Sequence, residues 1–306
     1  MPTEEQWSAA RSRAALYAAL RRWFAQAGFL EVETPLMVPR PGLEPHIDPF
    51  AVGKRWLHTS PEYAMKRLLA DVRGVPVFQL CKVFRDEPAS STHNPEFTML
   101  ELYRPDADYT EIMRDTESAL ATAGGPFAQT PFQRLTMREA MLRHAGVDWQ
   151  AHPDVASFAR VGKVRTASAD TWDDVFFRIF LDRVEPQLQA PTFITEYPAS
   201  MASLARLKPS DPRVAERVEL YARGVELGNG FSELTNEAEQ RARLVDEQGQ
   251  RRAAGRAVFE LDEKFLEAVG RMPPCSGIAI GVDRVLMLLV GAASIADVLL
   301  FPARDF

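Results

Sequence analysis

One stretch of the chain, residues 77–103, holds most of the side chains that could do chemistry. An apolar run predicts a buried strand at residues 77–84. Residues 97–103 alternate between apolar and polar positions, which predicts a second strand with two different faces. One of those faces carries an aromatic ring, a carboxylate and a phenol, from Phe97, Glu101 and Tyr103. The sequence therefore predicts two strands that present functional groups to a common site.

The segment between these strands carries charged and polar groups at both of its ends. It is longer than the loop of about two to five residues that is usual in hairpins, and long loops inside compact domains tend to be functional. An arginine fork can hold a phosphate through two parallel hydrogen bonds, and an aromatic face can stack on a purine. Salt bridges at a sheet edge are the alternative. The candidates in this segment are Arg85, Asp86, Glu87, His93 and Asn94.

Two acidic residues in the segment 223–233 are separated by a pair that favours a turn. Glu226 and Glu233 flank Asn229-Gly230, which suits a tight bend that could return both carboxylates to one site. One or two carboxylates together with substrate phosphates are the ligands that Mg²⁺ uses. A plain hairpin with two solvated acids is the alternative.

A strand of small residues leads into an apolar helix near the end of the chain, at residues 276–289. Glycines at such a junction let the backbone approach a nucleotide, and the start of the helix favours an anion. Arg284 lies at that start. Glycine-rich turns from a strand into a helix are frequent, and such a turn without a ligand is the alternative.

Residues 59–69 predict the start of a helix. Ser60 is suited to the N-cap, Pro61 to the first helical position and Glu62 to the first turn. Capping alone explains all three residues, and a binding role for Ser60 and Glu62 is the alternative.

The elements that must position these groups are helices and strands in alternation. Residues 4–27 predict an amphipathic helix that ends at a glycine cap, Gly28. Residues 28–36 predict a strand in which Pro35 requires an edge position or a break. Residues 110–190 predict helical scaffolding.

Composition restricts the class of protein. The chain has 306 residues, 46% of them hydrophobic, so it can bury a large core, and disorder or a fibrous class is excluded. Its 36 basic and 42 acidic residues give a net charge of -6, which argues against binding nucleic acid mainly through phosphate neutralisation. The two cysteines, Cys81 and Cys275, have no metal-site spacing and suit a reducing compartment. No signal peptide and no run long enough to span a bilayer is seen.

Taken together and in this order, the segments resemble the three motifs of the class II aminoacyl-tRNA synthetases. Motif 1 corresponds to about residues 28–37, motif 2 to about 77–103 and motif 3 to about 276–290. The runs TSPEYAMKRLL and ELGNGFSEL are similar to the lysine branch of that class. The resemblance implies a single α/β (α+β) catalytic domain over residues 1–306, with a mixed, mostly antiparallel sheet flanked by helices.

Three departures from the lysyl enzymes point to a narrower family. Only 27 residues precede motif 1, so we expect no anticodon-binding OB domain. Motif 3 has Ala279 where those enzymes have glycine, and residues 198–205 read PASMASLA instead of their Pro-x-Glu-x-Ser-Pro-Leu-Ala. These changes resemble the elongation factor P (R)-β-lysine ligases, truncated synthetase paralogues that modify a protein lysine.

That resemblance implies a reaction, its cofactors and its partners. An ATP-dependent ligase would activate (R)-β-lysine as the adenylate with Mg²⁺, and then transfer it to a lysine of elongation factor P. The enzyme would act as a homodimer in the cytoplasm, with no membrane and no tRNA as partner.

The resemblance also assigns residues to roles. Arg85 and Arg284 would be catalytic, through the α- and γ-phosphates, and Glu226 and Glu233 would bind Mg²⁺. The ATP-binding residues would be Arg85, Asp86, Glu87, His93, Asn94, Phe97, Glu226, Leu227, Gly281 and Arg284. The amino-acid-binding residues would be Ser60, Glu62, Glu101, Tyr103, Glu233 and Ala279.

Two other functions stay open from the residues. A minimal lysyl-tRNA synthetase-like enzyme could charge tRNA through its acceptor stem. A non-catalytic paralogue could sense an amino acid, although such a protein would be expected to lose a phosphate-binding arginine.

Overall fold

The computed structural model describes residues 1–72 and 74–305, and a large β-sheet with helices on its faces organises them. The strands are β1 (Leu30–Glu31), β2 (Met37–Val38), β3 (Ala51–Val52), β4 (Arg55–Leu57), β5 (Val77–Phe84), β6 (Glu96–Pro105), β7 (Gln133–Thr136), β8 (Thr192–Pro198), β9 (Leu207–Lys208), β10 (Asp211–Ala222), β11 (Val225–Ser232) and β12 (Cys275–Gly281).

The helices alternate with these strands along the chain. They are α1 (Glu4–Gln26), α2 (Glu62–Asp71), α3 (Tyr109–Ala121), α4 (Pro126–Gln129), α5 (Met137–Ala145), α6 (Val155–Gly162), α7 (Trp172–Ile179), α8 (Glu237–Ala253), α9 (Glu263–Val269) and α10 (Val282–Val290). A π-helical turn, Phe180–Val184, and a 3₁₀ turn, Glu185–Gln187, continue α7.

Within the described residues, nine strands join the large sheet. Its order is β1-β5-β6-β12-β11-β10-β8-β7, and β9 pairs with β10. The pairs β1/β5 and β7/β8 are parallel and the others are antiparallel. Strands β2, β4 and β3 form a small separate sheet. The predicted α+β fold, with a mixed and mostly antiparallel sheet, is confirmed.

The two strands predicted around the long loop are present and pair in register. Val77 lies opposite Tyr103, and Val83 lies opposite Phe97. On β6, Leu100 and Leu102 enter the core, as the alternation predicted. The other face of β6 is therefore free to line a site.

Helix α1 follows the predicted bounds because both of its ends are well capped. Thr3 accepts a hydrogen bond from the backbone N–H of Gln6, and the Gln6 side chain accepts one from the N–H of Thr3. Gly28, just beyond the helix, has φ of 80°, a conformation that glycine adopts without a Cβ penalty.

Two local predictions were wrong in extent. The strand expected over residues 28–36 is only the two-residue β1, because the chain leaves the sheet before Pro35. Helix α2 begins at Glu62 with Pro61 as its N-cap, one residue later than expected. Ser60 still accepts a hydrogen bond from the N–H of Glu62.

The remaining general features agree with the composition. Cys81 and Cys275 are both free thiols. Among the residues described, no helix combines the length and apolar content that a bilayer crossing requires.

Candidate active site

A cavity of about 390 Å³ lies over the three central strands β6, β12 and β11. Their register places one residue of each strand side by side in successive rows. One row is Tyr103, Gly277 and Phe231, and the next is Glu101, Ala279 and Asn229. All six residues line the cavity. The middle strand contributes only small residues to these rows, which leaves room above the sheet for a ligand.

Gly277 in particular has no space for a side chain. A Cβ there would lie 2.3 Å from the ring of Tyr103 and 3.0 Å from Oε1 of Glu233. Glycine is therefore required for the Tyr103 ring and the Glu233 carboxylate to occupy their positions.

Arg85, directly after β5, supplies a buried positive charge at one end of the cavity. Its guanidinium lies 5.2 Å from the ring centroid of Phe97, and its buried Nε has no hydrogen-bond partner. Burial lowers the pKa of Arg85, although the carboxylates of Glu44 and Glu87 oppose that shift. An arginine keeps its charge in such a site, so Arg85 is an unsatisfied donor suited to an anion.

Arg284 supplies a second charge at the same end and holds the loop between β5 and β6. It donates hydrogen bonds to the carbonyls of Thr92 (3.0 Å) and Glu226 (2.8 Å). Its position depends on the preceding residue, Asp283, which accepts a hydrogen bond from the N–H of Thr98 and pairs with Arg13 of α1.

His93 contacts Arg284 through a hydrogen bond that fixes its tautomer. The distance from Nη2 of Arg284 to Nε2 of His93 is 2.8 Å, and Nδ1 of His93 lies 2.8 Å from Oγ of Ser90. Because arginine can only donate, Nε2 must accept and the proton lies on Nδ1. Burial and the charge of Arg284 both lower the pKa of His93, so the ring is neutral and positions the arginine.

Two of the predicted nucleotide-binding residues are placed less favourably than expected. Asp86 is exposed and does not line the cavity. Asn94 lines it, but its Nδ2 donates to the carbonyl of Glu96 and its Oδ1 accepts from the N–H of Ala303. The amide of Asn94 therefore holds the C-terminal segment, and only its second N–H remains to contact a nucleotide. Glu87, Phe97, Leu227 and Gly281 line the cavity as predicted.

The bend predicted at Asn229-Gly230, which would return Glu226 and Glu233 to one site, is absent. Asn229-Gly230 lies inside the continuous strand β11, which is hydrogen-bonded to β10 and β12. At about 3.3 Å per residue, the two acids are roughly 20 Å apart along the strand. A β-bulge beside Glu226 inserts one extra residue, which explains why both side chains still face the cavity.

Glu226 instead lies near Glu219 of β10, which the sequence analysis missed. Burial and the charge of Glu219 raise the pKa of Glu226, and no hydrogen bond in the described residues engages the Glu226 carboxylate. Glu219 is fixed by the hydroxyls of Tyr197 and Tyr221 and by Arg217, whose Nη2 lies 2.5 Å from Oε1. The sequence feature that could have identified Glu219 was its alternation with Tyr221 on β10, which places both residues on one face of the strand.

The described residues contain no ready-made cluster of three or more metal ligands. The pair of carboxylates still suits Mg²⁺, which takes only one or two carboxylates and completes its shell with water and phosphate oxygens. Glu185 adds a further negative charge nearby: burial, Glu226 and Glu219 raise its pKa to about 7. This excess of buried negative charge beside Arg85 and Arg284 fits a cation that is bound together with phosphates.

A second acidic cluster occupies the opposite end of the cavity. It consists of Glu62, Glu101 and Glu233, and Lys66 of α2 lies among them. Ser60 and Tyr103 each donate a 2.7 Å hydrogen bond to a different oxygen of Glu101. Both residues were predicted to bind the amino acid, and the structure has them holding Glu101 in place.

The pKa values of Glu101 and Glu233 are raised partly because this cluster carries an excess of negative charge. Burial raises the pKa of Glu101 to about 8, and Glu62 adds to the shift. Burial also raises the pKa of Glu233 to about 8. The charge of Lys66 lowers this pKa, but the charges of Glu62 and Glu101 raise it. Lys66 keeps its proton, because Glu233 and Glu62 outweigh the effect of burial and raise its pKa. This end of the cavity is suited to ammonium groups.

Comparison with known proteins agrees with this arrangement. The family model described as tRNA synthetases class II (D, K and N) matches residues 2–305. Relatives from Salmonella typhi and Salmonella enteritidis PT4, both named elongation factor P–(R)-β-lysine ligase, are each 42% identical to this chain over 306 aligned positions. Each alignment covers 94% of this chain and 93% of the relative.

The acidic cluster generates a prediction about pH. Burial raises the pKa of both Glu101 and Glu233 to about 8, so the coupled cluster takes up protons in the free protein as the pH falls below that value. A bound ammonium favours the ionised carboxylates, so binding releases protons and the Kd for a lysine isomer should fall as the pH rises towards 8. The fall should reach up to about tenfold per pH unit for each carboxylate and level off above pH 8.

Calorimetric titration with a lysine isomer between pH 6 and 9 measures this dependence. Glu62, Lys66 and Tyr103 also face the two carboxylates, so the titration belongs to the coupled cluster. Glu101→Gln should reduce the slope. A Kd that is constant from pH 6 to 8 in the unmutated protein would contradict the assignment of this end to ammonium groups.

Proposed function

Since the chain belongs to the class II tRNA synthetase family (D, K and N), we propose that it is an ATP-dependent ligase for (R)-β-lysine and elongation factor P. The enzyme activates (R)-β-lysine as an adenylate and transfers the acyl group to the ε-amine of a lysine on elongation factor P. The observation that carries this proposal is a single cavity with two arginines, Arg85 and Arg284, at one end and a cluster of three carboxylates at the other. A molecule that is an anion at one end and carries two ammonium groups at the other matches both ends.

In the first step the carboxylate of β-lysine attacks the α-phosphate of ATP, and pyrophosphate leaves. We assign Arg85 to the α-phosphate and Arg284 to the γ-phosphate, where charge-assisted hydrogen bonds would stabilise negative charge. Phe97 offers a ring for adenine, but Arg85 already covers one face of that ring. The base would therefore stack on the opposite face.

We assign Glu226 as a ligand for Mg²⁺, with Glu219 and Glu185 close enough for their charges to interact with it. When bound, the ion would neutralise phosphate charge. Glu233 lies at the other end of β11 and serves the amino acid.

The second step needs the acceptor lysine in its neutral form. With a pKa near 10.4, a free lysine is only about 0.04% neutral at pH 7. The amine attacks the carbonyl carbon of the adenylate, the bond from that carbon to the phosphate oxygen breaks, and AMP leaves with the electron pair while the new amide nitrogen gives up one proton to water. Phe177 and Leu181 line the cavity although they are 43% and 52% exposed, so they form an apolar rim that the acceptor can contact as it enters.

We also propose a homodimer. Leu30, Leu36, Met37 and Val52 are exposed apolar residues of the segments at and after motif 1. Motif 1 forms the dimer interface in the enzymes that this chain resembles. A second copy would cover these residues, and sedimentation analysis of a Leu30→Asp, Met37→Asp variant would distinguish a dimer from a monomer.

The proposal also covers the domain organisation, the cellular location and the role of tRNA. Residues 1–306 act as one catalytic domain, the protein works in the cytoplasm, and no step uses tRNA. The net charge of -6 supports the last point, because tRNA binding relies on phosphate neutralisation. A non-catalytic sensor is disfavoured, since both arginines and Glu226 are retained in the cavity.

The phosphate-binding role of the arginines predicts a specific loss of activity. Arg85→Ala or Arg284→Ala should lower β-lysine-dependent pyrophosphate exchange by about 10² or more, because each removes a preorganised charge from the site. Arg213→Ala is the matched control, since Arg213 pairs with Asp211 outside the cavity. Near-normal exchange by a folded Arg85→Ala protein would disprove its assignment.

The two ends of β11 predict different phenotypes for two similar substitutions. Glu226→Gln should raise the Mg²⁺ concentration needed for half-maximal exchange, by roughly tenfold, because an amide oxygen is a poorer ligand for Mg²⁺ than a carboxylate. Glu233→Gln should raise the KM for the amino acid and leave the Mg²⁺ requirement unchanged. Titrating both variants with Mg²⁺ and with β-lysine measures these two effects. Identical profiles would contradict the assignment of Glu226 to the metal and of Glu233 to the amino acid.

Ala279 predicts a change in the choice between lysine isomers. Its methyl group lies on the cavity floor between Glu101 and Asn229, where it would crowd an α-amine. A methyl-sized difference is worth about 10- to 200-fold in kcat/KM, so Ala279→Gly should raise the use of α-lysine relative to β-lysine within that range. Pyrophosphate exchange with both isomers in both proteins tests this. If Ala279 only packs against its neighbours, the glycine variant will lose both activities together and the ratio will not change.

A further inference from the structure

Lys66 is a buried ammonium in the acidic end of the cavity, and no role in the reaction has been assigned to it above. Its side chain is 1% exposed. Nζ lies 2.7 Å from Oε1 of Glu62 and 2.6 Å from Oε2 of Glu233, and 6.0 Å from the ring centroid of Phe231. It therefore connects two of the three carboxylates that face the proposed amino acid.

The charges of this cluster do not balance without a ligand. Among Glu62, Glu101, Glu233 and Lys66, three carboxylates and one ammonium leave an excess of two negative charges when all four are ionised. Glu44 lines the same cavity, and the charge of Glu62 contributes to its raised pKa. Uncompensated buried charge is costly, and the raised pKa values of Glu101 and Glu233 are one consequence. A substrate that brings two ammonium groups would cancel the excess.

The contacts of Lys66 also determine which oxygens remain for the substrate. Nζ of Lys66 forms an ion pair with Oε2 of Glu233, whereas Oε1 has no ion-pair partner, and neither of these buried oxygens has a hydrogen bond of good geometry in the described residues. Oε1 lies beside Gly277, where a Cβ would come within 3.0 Å of it. Lys66 thus balances the charge of one oxygen of Glu233 and leaves the other oxygen without a charged partner.

Other contacts hold α2 in place. Tyr63 stacks on Phe265 of α9 with ring centroids 3.9 Å apart. Met65 and Leu69 are fully buried in the core between α2 and its neighbours. Buried ion pairs often add little to stability compared with apolar residues of similar volume. Lys66 is therefore a poor candidate for a residue kept only to anchor the helix.

We propose that Lys66 is a positioning residue that acts as a built-in counter-ion: it orients Glu62 and Glu233 and sets the charge of the pocket so that a substrate with two ammonium groups is preferred. This inference rests on the proposed function, and it adds the residue that limits the substrate class to diamino acids. Lys66 acts through the two carboxylates and does not touch the reacting atoms.

The test uses Lys66→Met, which removes the charge but keeps most of the volume, and Lys66→Ala. Pyrophosphate exchange is measured with β-lysine and ATP varied in turn. Without the ammonium, Glu62 and Glu233 repel each other and lose their orientation. The KM for β-lysine should then rise roughly 10- to 100-fold, the range of one charge-assisted hydrogen bond, while the KM for ATP stays within about twofold.

Chemical rescue provides a readout that a purely structural role would not move. Propylammonium restores the three carbons and the ammonium that Lys66→Ala removes, so it should lower the KM for β-lysine in that variant. Propanol, which lacks the charge, should have no effect. Lys208→Met is the matched control, because Lys208 forms an ion pair with Glu196 outside the cavity.

The outcomes separate this inference from the proposed function. If the unmutated protein performs no exchange with β-lysine, the proposed function is wrong. If it does and Lys66→Met has the same KM for β-lysine, the role of Lys66 is wrong. An equal loss towards ATP and β-lysine, or failure of both variants to fold while Lys208→Met folds, would make Lys66 a structural residue and would also overturn the inference.

Discussion

The register of β6, β12 and β11 is the constraint on which the whole site depends. It aligns Glu101 with Ala279 and Asn229, and Tyr103 with Gly277 and Phe231. A shift of one residue in any of these strands would turn its cavity-facing side chains into the core, because successive residues of a strand face opposite sides. The small residues of β12 then decide how close a ligand can come to the sheet.

Because of this register, the charged side chains fall into two groups at opposite ends of a single cavity. Arginines and the Glu219–Glu226 pair meet at the end where α10 begins, and the cluster around Lys66 lies at the other end. A ligand must therefore carry a phosphate group towards one end and ammonium groups towards the other. Joining an amino acid to a nucleotide in one step needs both parts held in line, and such positioning supplies much of the catalysis in reactions of this type.

The sequence was sufficient where local patterns decide the structure. Alternation predicted the faces of β6, and the amphipathic pattern with the Gly28 signal bounded α1. It failed at Asn229-Gly230, because this pair favours a turn only where neighbouring strands do not already hold it extended. Lys66 and Glu219 were missed for a different reason: their roles come from carboxylates distant in the chain, and spacing along one element does not contain that information.

The most direct test of the account is the intact mass of elongation factor P after incubation with the purified protein, ATP, Mg²⁺ and (R)-β-lysine. The account predicts that elongation factor P gains one lysyl group on a lysine side chain, in a reaction that ribonuclease does not affect and that α-lysine supports less well. An unchanged mass, together with transfer of the amino acid to tRNA under the same conditions, would contradict it.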